Sequence, residues 1–509
     1  MTRLRLKLFS FLSLSLLTLQ LVSLDSLLVS ARVASTNPNP NLPQCSDIRP
    51  QGLQDRPQYD YVVVGSGAGG GPLASRLAEE GFSVLVFDAG HDVNNLNTTI
   101  PLYFARASDD PQLDLNYTVS EYPEGFRFQK NDAWYPRALE DSISDLEGTS
   151  SEEGREGRLV FALDTVWRRI RIWGALPVAS NFDGKEESLE DRVERVLVRK
   201  EVIVSAGVFQ SPQLLMLSGI GNSSHLEEHA IEPVVHLPGV GNNLQDHDEI
   251  AMIFQTKGNF SFFNGCTFLS DPEEDPCLEY WKESGGKNVY SFSALDVITS
   301  TSPRGEDSSE APSPPDILSY FGPFYFPGFV RGYPQLLANK SHNSITAIAL
   351  KAHPSSLGTV RLSGSHPQDI LQIHKNRFQD ADRGYQDVVD LREALKRIRK
   401  LIRGSVLIGP YVEKEIAPGE DVESDEEIEE YIYRNVFGHH ACCTNAIGPD
   451  DDDNAVLDGN FKVRGVNNLR VVDASSWPNV PGFFITTPIY MISEKAADVI
   501  IDEARRSQL

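Results

Sequence analysis

Two histidines and two cysteines stand side by side in "FGHHACCTNAIG", Phe437 to Gly448. Residues of these types can bind a metal, run a thiol–disulfide couple, or supply a general base. Tetrahedral zinc needs four convergent ligands, and adjacent residues of an extended segment point to opposite faces. His439 with His440, or Cys442 with Cys443, therefore makes a poor cage, and no metal is expected. A redox pair usually keeps two residues between its cysteines, a spacing absent here. The base is the leading reading, because imidazole titrates near neutrality, where it can take a proton from a reacting group.

A second chemical signal lies near the front. "YDYVVVGSGAGGGPLASRLAEEGFSVLVFDAG" opens with a β-branched run, Tyr59 to Val64, turns through glycines, reads as a helix from about Gly70 to Glu80, and closes with a strand, Ser83 to Asp88. This βαβ unit is built to hold a dinucleotide. Gly65 allows the tight turn, Ser66 and Gly67 bring backbone to a pyrophosphate, and Gly70 lets helix and strand pack closely, with the phosphates at the helix N-terminus. Asp88 ends the second strand, where a carboxylate accepts hydrogen bonds from ribose hydroxyls. NAD and FAD both use this motif; Ala74 and Gly81 continue it in the manner of FAD proteins, yet spacing alone leaves the choice open.

Further motifs carry a family resemblance: "EVIVSAGVFQSPQLLMLSGIG" (Glu201 to Gly221), with a helix from about Ser211 to Ser218, then "LPGVGNNLQDH" (Leu237 to His247), and the closing stretch from Ala455 to Ile500. In this order, and with the nucleotide motif, the chain resembles the glucose-methanol-choline oxidoreductase family. The resemblance implies an α/β fold: a discontinuous FAD-binding Rossmann-like domain (59–248, and a returning segment 439–507) with an inserted α+β substrate-binding domain (249–438). It implies FAD, with Asp473 and Ala474 of the returning segment near the flavin or its pyrophosphate. It also makes His440, four residues before Thr444, the base that takes the hydroxyl proton of an alcohol while the carbinol carbon gives a hydride to flavin N5. Cys443 stands where the family has glycine and Ile447 where it has methionine, and His439 becomes an outward-facing neighbour. The family's second His or Asn falls on Phe484, which can neither donate nor accept a hydrogen bond. His440 then works alone, helped by Thr486 or Thr487, or the pocket suits an apolar, aromatic alcohol; Phe483 and Phe484 as plain core residues are the competing reading. Primary or benzylic alcohols of secondary metabolism, with oxygen or a quinone-like electron acceptor, are the expected partners.

The resemblance breaks after "NDAWYPRA", Asn131 to Ala138. A polar stretch without hydrophobic period follows, and family-like sequence resumes near Val193, so the pattern is interrupted at about 139–192. A flavin-contacting turn belongs there in the family. A true deletion would support an alternative, a degenerate flavin-binding protein without turnover, while an erroneous or alternatively spliced reading frame would leave the same trace. In the insert, "SITAIALKAHPSSLGTVRLSG" (Ser344 to Gly364) reads as paired strands, and Val388, Leu391, Leu395, Ile398 and Ile402 recur at helical spacing as a core stripe.

The remaining signals concern context. Arg3, Arg5 and Lys7 precede an apolar run, Leu8 to Leu24, with a small-residue site at Val29 and Ala31; residues 1–31 read as a secretory signal and 32–58 as a linker, with no stable membrane insertion. Sequons at Asn97, Asn116, Asn222, Asn259 and Asn339 suit glycans on exposed loops of a secreted protein. Among five cysteines, Cys266 and Cys277 are placed to pair, whereas Cys442 and Cys443 are poorly placed to bond each other without backbone strain. The net charge of −26 repels nucleic acid and anionic lipid, and the acidic runs at Asp421 to Glu430 and Asp450 to Asp453 read as solvated surface.

Overall fold

Val62 and Val64 face one way from the strand Gln58–Val64, Tyr61 and Val63 the other, and all four are buried. A strand buried on both faces needs a layer on each. On one side Val62 and Val64 meet Leu214, Leu215 and Met216 of the helix Gly207–Leu217. On the other, Tyr61 and Val63 meet Leu73 and Leu77 of the helix Gly70–Glu79 together with Ala496, Ala497 and Ile500 of the C-terminal helix Thr486–Arg506. The sheet between them is parallel, in the order Leu469–Val471, Leu197–Val204, Gln58–Val64, Val84–Phe87. Its edge strand returns from the far end of the sequence, as a discontinuous nucleotide-binding domain requires.

The computed structural model describes residues 58–88, 96–103, 106, 117–126, 160–164, 171–175, 196–258, 266–267, 275–291, 297–301, 315–330, 332–333, 336–337 and 341–507. The signal, most of the linker, Asn116, Asn259, Asn339, Cys45 and the stretch Asn131 to Ala138 lie outside them.

The second sheet is antiparallel, in the order Val412–Ala417, Asp248–Thr256, Ser344–Lys351, Ile317–Gly322, Val297–Thr301. Period-two alternation sends Ile250, Met252 and Phe254 onto the helices Arg383–Gly404 and Asp425–Asn435, where the expected stripe from Val388 to Ile402 is buried. Each such side chain contributes about 1.5–3 kcal/mol by leaving water. The opposite face carries Ala251, Leu318, Tyr320 and Ile348, and by the same alternation Glu249.

Several sequence expectations change. Ser344–Lys351 and Thr359–Arg361 do not pair with each other: the first joins the large sheet, and the second pairs with Gln372–His374. The small hairpin packs Val360 and Ile373 into the core of the parallel sheet, so part of the insert belongs to the nucleotide-binding body. The interrupted region holds a hairpin, Val160–Asp164 with Arg171–Ala175, that its polar composition hid. The helix expected from Ser211 begins at Gly207, because a carboxylate far away in sequence caps it. Asn97 sits half-buried in a short helix rather than on an exposed loop, whereas Asn222 is exposed and its side chain accepts from the amides of Ser224 and His225 at a helix start. Both acidic runs lie largely on the surface as expected. Among the described residues, no helix is long and apolar enough to cross a membrane.

Candidate active site

The glycine turn divides its work among its residues. Gly65 holds φ +102°, and a side chain there would fall on the carbonyl oxygen of Ser205; at Gly70 it would fall on the carbonyl of Gly65. Both glycines are demanded by the chain's own packing. Gly67 differs: a Cβ there meets nothing within 4 Å, so its backbone faces open space. The helix that follows starts at Gly70 with no side-chain cap and no acid in its first turn, leaving its amide dipoles available to an anion. Gly69, not singled out in the sequence, backs onto the returning segment, where a Cβ would lie 2.5 Å from the Val472 oxygen.

Asp88 is exposed, and its Oδ2 accepts from the backbone amide and the hydroxyl of Ser66, each at 2.6 Å. Asp88 thus ties the second strand to the glycine turn, and Ser66 spends its amide on that carboxylate. Asp473 is buried and occupied: Oδ2 accepts from the Gly207 amide (2.9 Å) and the Ser211 hydroxyl (2.5 Å), Oδ1 from the Ser475 amide (2.8 Å). It caps the helix Gly207–Leu217 and positions the returning segment, while Ala474 accepts the Cys443 amide at 2.9 Å. Pro212 inside that helix lacks the amide that would bond the Val208 carbonyl. Thr444 fills the vacancy, donating its hydroxyl to Val208 O at 2.6 Å, and so fixes the histidine-bearing segment to the nucleotide-binding body.

That segment runs antiparallel to Gln245–Glu249. Phe437 exchanges backbone hydrogen bonds with Glu249, and Cys442 with Gln245. Between these rungs 438–441 must span the same distance as 246–248, an extra residue in the manner of a β-bulge. The bulge overturns the expectation that His439 and His440 face opposite ways: their ring centroids lie 3.8 Å apart, and both Nδ1 atoms approach Oε1 of Glu249, at 3.0 Å for His439 and 3.4 Å for His440. Alternation holds only where the pleat is regular. His439 is therefore a partner in the cluster, not an outward neighbour.

His440 is buried. Its Nδ1 lies 3.0 Å from Nδ1 of His247, its amide donates to Asp246 Oδ1 at 2.7 Å, and its ring meets Phe484 edge-on at 5.8 Å. Phe484 also meets Tyr320, whose hydroxyl donates to Oε2 of Glu249. Loss of hydration, reinforced by the neighbouring His439, pulls the proton affinity of His440 down to about 4. Burial likewise lowers His247. Burial opposes protonation of His439 too, but its contact with the Glu249 carboxylate outweighs that and raises it. Asp246 is held ionised: burial alone would raise it, and the Lys375 and Arg377 charges more than reverse this. Thr486, by contrast, lies exposed in the first turn of the C-terminal helix.

Cys266 and Cys277 are joined, as their placement suggested. Cys442 and Cys443 are also joined, contrary to expectation. Cys443 adopts φ +79°, the left-handed conformation glycine takes without cost, at the position where the family resemblance has glycine. Asp246, His247, Glu249 and Tyr320 were not assigned roles from sequence, although Asp246 and His247 close the "LPGVGNNLQDH" stretch that carries the family resemblance.

A parallel sheet whose glycine turn faces open space, joined to an antiparallel sheet that supports a buried histidine cluster, defines a dinucleotide-binding fold with a second, site-forming sheet. Models of the GMC oxidoreductase family match residues 179–249 and 354–493, and an NAD(P)-binding Rossmann-like model matches 63–97. Family-like sequence thus resumes by residue 179, ahead of Val193. The chain is 32% identical over 412 residues to the oxygen-dependent choline dehydrogenase of Brucella anthropi, covering 79% of this chain and 71% of that one. It is 33% identical to mouse mitochondrial choline dehydrogenase, covering 62% and 50%; the chain spans about half the length of the mouse and human enzymes it matches. Formate oxidase of Aspergillus oryzae shares the fold with a TM-score of 0.70 at 18% identity, over 88% of this chain and 99% of that one. A fungal aryl-alcohol oxidase follows at 0.57 and 20%, over 89% and 100%. The chain belongs to the GMC oxidoreductase family, and FAD is the cofactor that membership carries. The open space at Gly67 and the uncapped helix behind it fit a pyrophosphate.

Proposed function

We propose that this chain is a secreted FAD-dependent oxidoreductase that oxidises a primary or benzylic alcohol, with His440 as the base. The observation that carries the reading is a buried imidazole, kept neutral by its surroundings, packed against the aromatic ring of Phe484. FAD, when bound, accepts the hydride leaving the carbinol carbon. His440 accepts the hydroxyl proton, so no free alkoxide need form. Bonds from its amide to Asp246 and from its ring to His247 fix its orientation before substrate arrives. Phe484, Tyr320 and Phe329, the last with its ring 4.6 Å from that of His439, offer aromatic surface, which favours an aryl-bearing substrate over a sugar. Names among the relatives, choline dehydrogenase and aryl-alcohol oxidase, support alcohol chemistry. Oxygen or a quinone-like molecule is the proposed acceptor. Export is supported by the leader-like N-terminus and by two disulfides, which persist in oxidising compartments.

The test is anaerobic. Benzyl alcohol should bleach the flavin bands of the purified protein between roughly 350 and 500 nm, and His440→Ala should keep the bands but slow bleaching by roughly 10²- to 10⁴-fold. An unchanged rate would remove His440 from the role. Bands that no alcohol bleaches would favour the degenerate flavin binder.

A further inference from the structure

The bulge that turns His439 and His440 to the same side creates a ligand set. Nδ1 of His439, Nδ1 of His440 and Oε1 of Glu249 lie within 4.8 Å of one another. Glu249 Oε1 is 3.0 and 3.4 Å from the two nitrogens. Zinc bonds of about 2.0–2.1 Å in tetrahedral geometry place neighbouring ligand atoms about 3.3 Å apart, so these spacings already match two edges of the polyhedron. We propose that Glu249, His439 and His440 form a binding site for a divalent transition-metal ion of the zinc type, with its fourth position open to solvent or substrate.

Three further features of the site favour this. Glu249 is fully buried, and its other oxygen accepts the Tyr320 hydroxyl, which fixes the carboxylate as outer partners fix metal ligands. His439 is 38% exposed at its side chain, giving an ion a way in. The charge also suits a dication: the nearby cations Lys375 and Arg377 face the carboxylates of Glu121, Asp246 and Asp248, and Glu249 adds a fourth negative charge to two positive ones. Among the described residues this is the one group of histidine, cysteine or acidic side chains with such convergence that includes imidazoles.

The consequence for activity rests on the proposed role of His440. A neutral imidazole bound to metal through Nδ1 carries its remaining proton on Nε2 and has no lone pair left to accept another. The ion would displace the His247 contact and switch off the base, making the site inhibitory.

Zinc chloride should be titrated calorimetrically into flavin-loaded protein stripped with a chelator and free of substrate. One ion per chain should bind, and His439→Gln and Glu249→Gln should each weaken binding at least about tenfold, while replacement of the exposed His353 should leave it unchanged. X-ray absorption at the zinc edge should show two imidazoles at about 2.0–2.1 Å, which guards against a variant that merely misfolds. Absence of stoichiometric binding, equal binding by His439→Gln, or a zinc shell without imidazoles overturns the site. Stoichiometric zinc that leaves alcohol-driven flavin bleaching intact supports the site and instead sinks His440 as the base.

Discussion

Two glycines three positions apart, Gly67 and Gly70, look alike in the sequence, yet the structure predicts opposite consequences for replacing them. At Gly67 a methyl group meets no protein atom within 4 Å, and the residue is not in the left-handed region. Flavin-free Gly67→Ala should therefore unfold within about 0.5 kcal/mol of the parent. The methyl enters the space a pyrophosphate would fill, and overpacking of that kind costs about 1–3 kcal/mol, or roughly 5- to 150-fold in FAD affinity. Gly70→Ala drives its methyl onto the Gly65 carbonyl and to 3.0 Å from Ser205 Cβ. Strand, turn and helix must separate to admit it, so the fold itself should lose at least about 1–3 kcal/mol with or without flavin. Thermal unfolding of the flavin-free proteins and titration of FAD by fluorescence quenching separate the two effects. FAD affinity within about twofold of the parent for Gly67→Ala, or a flavin-free melting point as low as that of Gly70→Ala, would refute the division of labour.

Other outcomes follow from the histidine cluster and its supports. With a chelator present, flavin bleaching by alcohol should be flat at neutral pH and fall about tenfold per unit below the His440 value of about 4, since only the neutral imidazole accepts a proton; a midpoint near 6.5 in the free enzyme would contradict the desolvated site. The same shift works against the fold in acid: the unfolded chain binds this proton near 6.5 and the folded chain near 4, so its stabilising contribution is full above 6.5 and is lost as pH falls through 4. Asp246→Asn leaves Lys375 and Arg377 undercompensated in the interior and should cost about 3–5 kcal/mol, read from the denaturant midpoint. Phe484→Ala should raise KM for benzyl alcohol about 5- to 30-fold, from about 1–2 kcal/mol of lost aromatic contact, while leaving FAD affinity unchanged; equal effects on an aliphatic alcohol would count against an aryl pocket.

Local pattern was enough to read much of this protein. The run Tyr61 to Val64, its glycines and Asp88 announced a nucleotide-binding unit, because turn, helix and strand propensities act over a few residues. The stripe from Val388 to Ile402 declared a helix for the same reason, whereas His440 was marked only by the family resemblance, as the residue four before Thr444. What tertiary structure decided depended on segments that meet only after folding. Asp473 turned out to cap a helix 266 residues away through the Gly207 amide, and Thr444 to serve the carbonyl left free by Pro212. Glu249 entered the site because a strand of the antiparallel sheet lies beside Phe437. The convergence of His439 and His440 required a bulge set by pairing with Gln245–Glu249, a register that no count along the sequence contains, since it is fixed by which strand lies opposite and not by the residues themselves.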